Sequence, residues 1–268
     1  MQNLIISLVA IALYLAASVR IVVTTTGRAT RKTAKKYQAT MLLITAILAH
    51  AATLSFTVGA NDGFDLGIFN MASLVGWFIG FFLLMIMSWR PVDSLAVMIY
   101  PIIALMIALA YLFPSSHILP PGTAFGIQLH IVLSIIAYGL FAIAAAQATY
   151  LGIADYKLRH HRPSMDFMPP LPTMEIVLFQ LTGFAFVILT LSLMLGAMYI
   201  EDMRAQHLTH KITFSAIAWG VFATLLYGRW RFGWRGRRAI KYVLSGFTSL
   251  ALGFFGSKAV LELVLHRV

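Results

Sequence analysis

Two histidines stand inside long apolar runs: His50 in Ile47-Leu48-Ala49-His50-Ala51-Ala52, and His130 in Leu129-His130-Ile131. An imidazole held in hydrocarbon costs free energy unless it is paired, so each is a candidate functional group. The chemistry that suits a neutral imidazole in such a place is coordination of haem iron through one ring nitrogen. The alanines around His50 let another helix or a flat ligand come close. His130 opens a stretch that runs on to Tyr150 and carries Ser134, Tyr138, Gly139 and Gln147. Three arrangements stay open. Facing rings would make a bis-histidine iron site, a larger axial offset would make two separate sites, and two unrelated rings would each bond a neighbouring helix's carbonyl or hydroxyl.

Other polar groups carry weaker chemistry. His207 and His210 are spaced i,i+3 beside Glu201 and Asp202, so they share a face if that loop is helical, but a metal would need further ligands. Lys258 and Glu262, spaced i,i+4, read as a neutralised pair with the lysine reaching outward. Gln147 and Gln180 are candidates for bonds between helices. The pair His160-His161, flanked by Arg159 and Arg162, reads as a solvated or lipid-facing run, because adjacent residues rarely both face one ion. Between Tyr227 and Arg238, arginines alternate with aromatics through Trp230, Trp234, Arg235 and Arg237. Such interleaving also marks nucleic-acid surfaces, but here the run is pinned between two apolar segments. Indoles at the headgroup level and arginines beside lipid phosphates account for it as an anchor.

The elements that must position these groups are membrane helices. Of 268 residues, 60% are hydrophobic and 11% charged, where a soluble domain carries roughly 25% charged. Apolar runs of about 20 residues, enough to span a bilayer, predict eight helices near Leu4–Val23, Thr40–Val58, Met71–Trp89, Ser94–Phe113, Leu129–Gly152, Ile176–Ile200, Ile212–Gly228 and Tyr242–Leu265. The expected fold is an all-α polytopic bundle forming one transmembrane domain over residues 1–268. Pro101 is expected near the start of its helix, where a missing amide is tolerated. The first run lacks a basic leader and is read as a retained helix rather than a cleaved signal. Without cysteine, disulfides, thiolate ligands and covalent thiol carriage are excluded.

Orientation follows from the basic residues. Arg20, Arg28, Arg31, Lys32, Lys35, Lys36, Arg90, Lys157, Arg159, Arg162, Arg229, Arg231, Arg235, Arg237, Arg238 and Lys241 fall on one side, sixteen of the twenty Lys and Arg. By the positive-inside rule that side is cytoplasmic and both termini face away from it. The net charge of +11 therefore points to membrane orientation and anionic headgroups, not to nucleic acid. His50 would lie roughly 12 Å below the outer end of its helix and His130 only a few Å below the same surface, an offset near ~10 Å if the two helices are neighbours.

The order of segments resembles the cytochrome c assembly family of haem-handling membrane proteins, the group that includes CcsA and CcmC, and within it the small eight-helix YpjD/HemX-type branch. The residues that carry this are Leu129 to Tyr138, Met168-Pro169-Pro170-Leu171-Pro172, Ala218-Trp219, Gly233-Trp234-Arg235-Gly236-Arg237-Arg238 and Phe255-Gly256-Ser257-Lys258. The similar region covers about residues 40–265. The resemblance implies a multi-pass inner-membrane protein that binds or handles haem, with His130 and His50 at ligand positions. Its partners would be haem, membrane lipids and other cytochrome-assembly or haem-pathway proteins. The chain departs from haem-exporting members. Its outer loop Met198 to His207 has no tryptophan, Tyr227 stands at the ligand position of the seventh helix, and the last helix has no histidine near Lys258. No hydrolase, nucleotide-binding or transferase motif is present, so binding is expected rather than catalysis. The alternative is a membrane scaffold or regulator without haem that works through its basic cytoplasmic loops.

Overall fold

The computed structural model describes residues 2–26, 32–60, 63–113, 118–119, 122–160, 169–199 and 209–256. Eight helices long and apolar enough to cross a membrane are found among them. They are α1 (Gln2–Thr26), α2 (Lys32–Thr57), α3 (Ile68–Trp89), α4 (Asp93–Leu112), α5 (Phe125–Arg159), α6 (Leu171–Tyr199), α7 (Thr209–Phe232) and α8 (Arg237–Ala251). The α8 backbone continues as a π-helix over Leu252–Gly256. Three short strands, β1 (Gly59–Ala60), β2 (Gly63–Asp65) and β3 (Ile118–Leu119), form an antiparallel sheet in order β1-β2-β3. They lie in segments read from sequence as loops; strands of two or three residues have no periodicity to detect.

One transmembrane domain is expected from the sequence; the chain sorts into two compact units, Met1–Pro121 with Ser164–Pro169, and Gly122–Pro163 with Pro170–Val268. In the first unit α1 packs on α2 and α4, and α3 on α2 and α4, so four antiparallel helices form a closed ring. The second repeats this scheme: α5 packs on α6 and α8, and α7 on α6 and α8. Short connections between antiparallel neighbours give this order in any up-and-down bundle.

Both units hold their helices together with polar and small residues, because lipid leaves no hydrophobic drive for helix to seek helix. Pro101 is an example. It stands inside α4, at the ninth position, not in the first turn. A proline there removes the amide that would bond the carbonyl four residues back, at Val97. The Ser18 hydroxyl of α1 donates to that carbonyl at 3.2 Å, so the group freed by the proline becomes a tie between helices. Between α2 and α3 the Trp77 indole donates to the Ile47 carbonyl at 3.0 Å, and the Asn70 amide to the Thr57 carbonyl at 3.2 Å. In the second unit Phe141 and Phe222 stack at 3.9 Å, and Phe222 lies where a side chain on Gly246 would stand. Gln147 donates to the Met174 carbonyl at 2.9 Å and ties α5 to α6 as expected. Gln180 does not act this way; it is exposed on α6.

Candidate functional site

His130 lies on the second turn of α5, which starts at Phe125 rather than at Leu129. Its Nδ1 is 2.7 Å from the Ser192 carbonyl of α6. A carbonyl only accepts, so Nδ1 carries the proton, and in the neutral ring the lone pair is left on Nε2. That atom has no hydrogen-bond partner among the described residues. The Ser192 hydroxyl adds a contact at 3.2 Å to Nδ1 and one at 2.7 Å to the Ser134 hydroxyl, one turn along α5. Gly196 completes the seat: a Cβ there would come within 2.9 Å of His130 Cε1 and 3.0 Å of Nδ1. On the preceding turn of α5, Gly126 receives the ring of Tyr199 in the same way. Two glycines, one on each helix, thus let α5 and α6 close around the imidazole. The ring is partly exposed.

Further along α5, Tyr138 donates its hydroxyl to the Leu250 carbonyl at 3.1 Å. It marks the place where α8 loosens into the π-helix. Phe254 and Phe255 surround the tyrosine ring at 5.4 and 6.4 Å between centroids, and the Lys211 ammonium at the start of α7 lies 5.9 Å from the Phe254 ring. π-Helical turns of this kind cluster at functional sites.

His50 is held quite differently. It is completely buried at the centre of the first unit. Nε2 is 3.0 Å from the Ser73 hydroxyl of α3, and Nδ1 is 3.4 Å from the Tyr14 hydroxyl of α1. Tyr14 meets the imidazole edge-on and stacks on Tyr100 of α4, with 5.4 Å between ring centroids. All four helices of the unit therefore contribute one residue to a single polar knot. A hydroxyl can donate or accept, so either tautomer of His50 is satisfied at both nitrogens. His50 belongs to the first unit and His130 to the second, and each has its own partners.

The arginine-rich turn between α7 and α8 is a built structure. Gly233 and Gly236 adopt left-handed φ of 66° and 54°, which end α7 and allow α8 to begin. Trp234 packs over Gly228, where any Cβ would meet its ring, and the Arg238 guanidinium lies 5.7 Å from that ring. The Glu175 carboxylate accepts the Gly236 amide at 2.7 Å. Asp155 near the end of α5 pairs with Arg159 at 3.0 Å and Arg237 at 3.3 Å. Trp230 and Phe232 remain 81% and 65% exposed and Arg235 is exposed. Tyr227 is exposed beside Trp230 and Phe232, at 6.1 Å from each ring.

Several sequence candidates have no described geometry. His207, Lys258 and Glu262 lie outside the described residues, as do Glu201 and Asp202, and of His210 only the backbone, in the first turn of α7, is described. His160 bonds the Tyr156 carbonyl of its own helix at 2.8 Å. Among the described residues no three His, Asp or Glu side chains gather as a metal site. The partners that matter most, Ser192 and Gly196 for His130 and Tyr14 and Ser73 for His50, escape a sequence reading. A serine or glycine in an apolar helix gives no sign of which residue it will face.

The eight apolar spans define a multi-pass helical membrane protein, with one histidine that has a bonded and an open nitrogen and a structured aromatic–arginine turn. The chain belongs to the cytochrome c assembly protein family, whose model matches residues 5–265. Among relatives, it is 31% identical to the inner membrane protein YpjD of Escherichia coli strain K12, over 84% of this chain and 88% of that protein. It is also 31% identical to an uncharacterized 28.8 kDa protein of Azospirillum brasilense, over 52% and 53% of the two chains. The cytochrome c biogenesis protein CcsA of Gloeobacter violaceus is 29% identical over 31% of this chain and 25% of its own. No solved structure matches the chain.

Proposed function

We propose that this protein binds haem in the inner membrane through Nε2 of His130, and so assists cytochrome c assembly or haem-pathway biogenesis. The observation that carries the reading is the polarised imidazole. Its Nδ1–H is fixed on the Ser192 carbonyl, which orients the ring and raises the basicity of the nitrogen left open, as outer partners of metal-bound histidines do. Membership of the cytochrome c assembly family supports the choice of haem. Haem iron would supply any redox chemistry when bound. His130 would hold the iron through Nε2, with Ser192 and Gly196 as the seat that orients its ring. In this reading the basic α7–α8 turn faces the cytoplasm by the positive-inside rule, and His130 and both termini face away from it.

His50 could join as a second ligand only by giving up Ser73 or Tyr14, so His130 is the primary ligand in this reading. The chain handles the cofactor and leaves covalent attachment to other proteins, in keeping with the absence of tryptophan from Met198 to His207.

Purification from haem-replete cells tests this. The isolated protein is expected to show a Soret band whose position shifts on dithionite reduction. A preparation that remains colourless, and that gains no band when titrated with hemin, would leave the basic turn as the working surface of a scaffold.

A further inference from the structure

The first unit carries a groove of about 520 Å³ that the haem reading does not use. It lies between α1 and α2 and is lined by Arg20, Tyr37, Gln38, Met41, Leu42 and Thr45. Arg20 stands inside the first span, which ends at Thr24, and Tyr37 begins the second. The groove thus starts at the edge of the hydrocarbon and descends along α2 from Tyr37 to Thr45, roughly 12 Å at 1.5 Å per residue.

Among the described residues no carboxylate balances the charge in this groove. The Arg20 guanidinium donates to the Gln38 side-chain carbonyl, a neutral partner, and makes no ion pair with a carboxylate among the described residues. A guanidinium has five N–H donors in a planar fork, so most remain for a ligand. The fork matches the two free oxygens of a phosphodiester. Below it the wall turns apolar through Met41 and Leu42, as an acyl chain requires. Lys32, Lys35 and Lys36 belong to the same stretch of sequence, in the first turns of α2, and add to its positive charge. A zwitterionic headgroup would bring its ammonium into that field; a net anionic one would not.

We propose that this groove is a binding site for one anionic glycerophospholipid, with the phosphodiester on Arg20 and an acyl chain along Met41 and Leu42. The site is independent of the haem ligand, which lies in the other unit.

Native mass spectrometry of the full-length protein in mild detergent, mixed with equal amounts of phosphatidylglycerol and phosphatidylethanolamine, tests it. The wild type is expected to retain phosphatidylglycerol about fivefold over phosphatidylethanolamine, the preference one arginine near a headgroup provides. Arg20→Gln should abolish that preference. Arg90→Gln, which removes an exposed charge at the end of α3, should leave it intact. Met41→Trp keeps every charge, fills the groove, and should lose bound lipid of either kind. Equal retention of the two lipids by the wild type, equal losses from Arg20→Gln and Arg90→Gln, or full displacement of phosphatidylglycerol by inorganic phosphate would each overturn the proposal.

Discussion

Replacing His50 by alanine is expected to destabilise the protein by about 2–3 kcal/mol while leaving haem binding in place. The ring is the centre of a fully buried knot, so its loss opens a cavity that four packed helices cannot close, at about 24 cal/mol per Å³. The hydroxyls of Tyr14 and Ser73 lose their partner in the same step. Interhelical hydrogen bonds in membranes average about 0.6 kcal/mol each, because the unfolded chain finds other partners in lipid, so the cavity is the larger part of the cost. Tyr14→Phe keeps the stack on Tyr100 and removes only the long contact to Nδ1, and should cost under about 1 kcal/mol. Thermal unfolding in detergent reads both. A His50→Ala protein that melts like the wild type but loses its Soret band would assign His50 to the iron instead of to the fold.

The second large effect falls on haem. His130→Ala removes the open nitrogen, and retention of haem through purification should fall by more than about 100-fold, beyond the roughly 10- to 100-fold that outer partners alone command. Gly196→Ala offers a finer test. The added methyl would stand 2.9 Å from Cε1 and 3.0 Å from Nδ1, so the ring must swing off the Ser192 carbonyl. Haem affinity should then fall by roughly tenfold with His130 itself still present. Gly196 belongs to the other unit from the knot around His50, so the contacts of that knot are expected to be unchanged alongside. Unchanged affinity in Gly196→Ala would mean that the seat does not orient the ligand.

Much of the fold is legible in the sequence because hydrocarbon demands long apolar helices. Among the described residues all eight spans lie where hydropathy puts them, with ends that differ for a physical reason; residues 257–265 of the last expected span lie outside the described residues. Hydropathy reports the part of a helix that lies in lipid, whereas hydrogen bonding continues past it. Thus α5 runs on beyond Gly152 through Asp155 and Lys157 to Arg159, and α2 begins at Lys32, eight residues before the apolar run. Leu171 and Pro172 start α6 before Ile176, since proline is welcome in a first turn. The change from α8 to a π-helix at Leu252 has no counterpart in composition; it lies just beyond Leu250, whose carbonyl accepts from Tyr138 of α5.

The candidate site was legible only as a pair of unusual residues. An imidazole in an apolar run is conspicuous, but whether its nitrogens are spoken for depends on residues far away in the chain. His50 and His130 look alike in sequence, and only the fold separates them. The first is closed by Ser73 and Tyr14, 23 residues ahead and 36 behind, and the second is left half open by Ser192, 62 residues on. Gly196 is one of 19 glycines, and no local pattern marks it out.

The central claim, that Nε2 of His130 would hold the haem iron, is tested most directly by chemical rescue. His130→Gly removes the ring and leaves its space, and the purified variant can be titrated with hemin in the presence and absence of free imidazole. The account predicts a weak or absent Soret band without imidazole, and a band at the wild-type position, oxidised and reduced, when imidazole is added. A wild-type spectrum from His130→Gly without imidazole would contradict it.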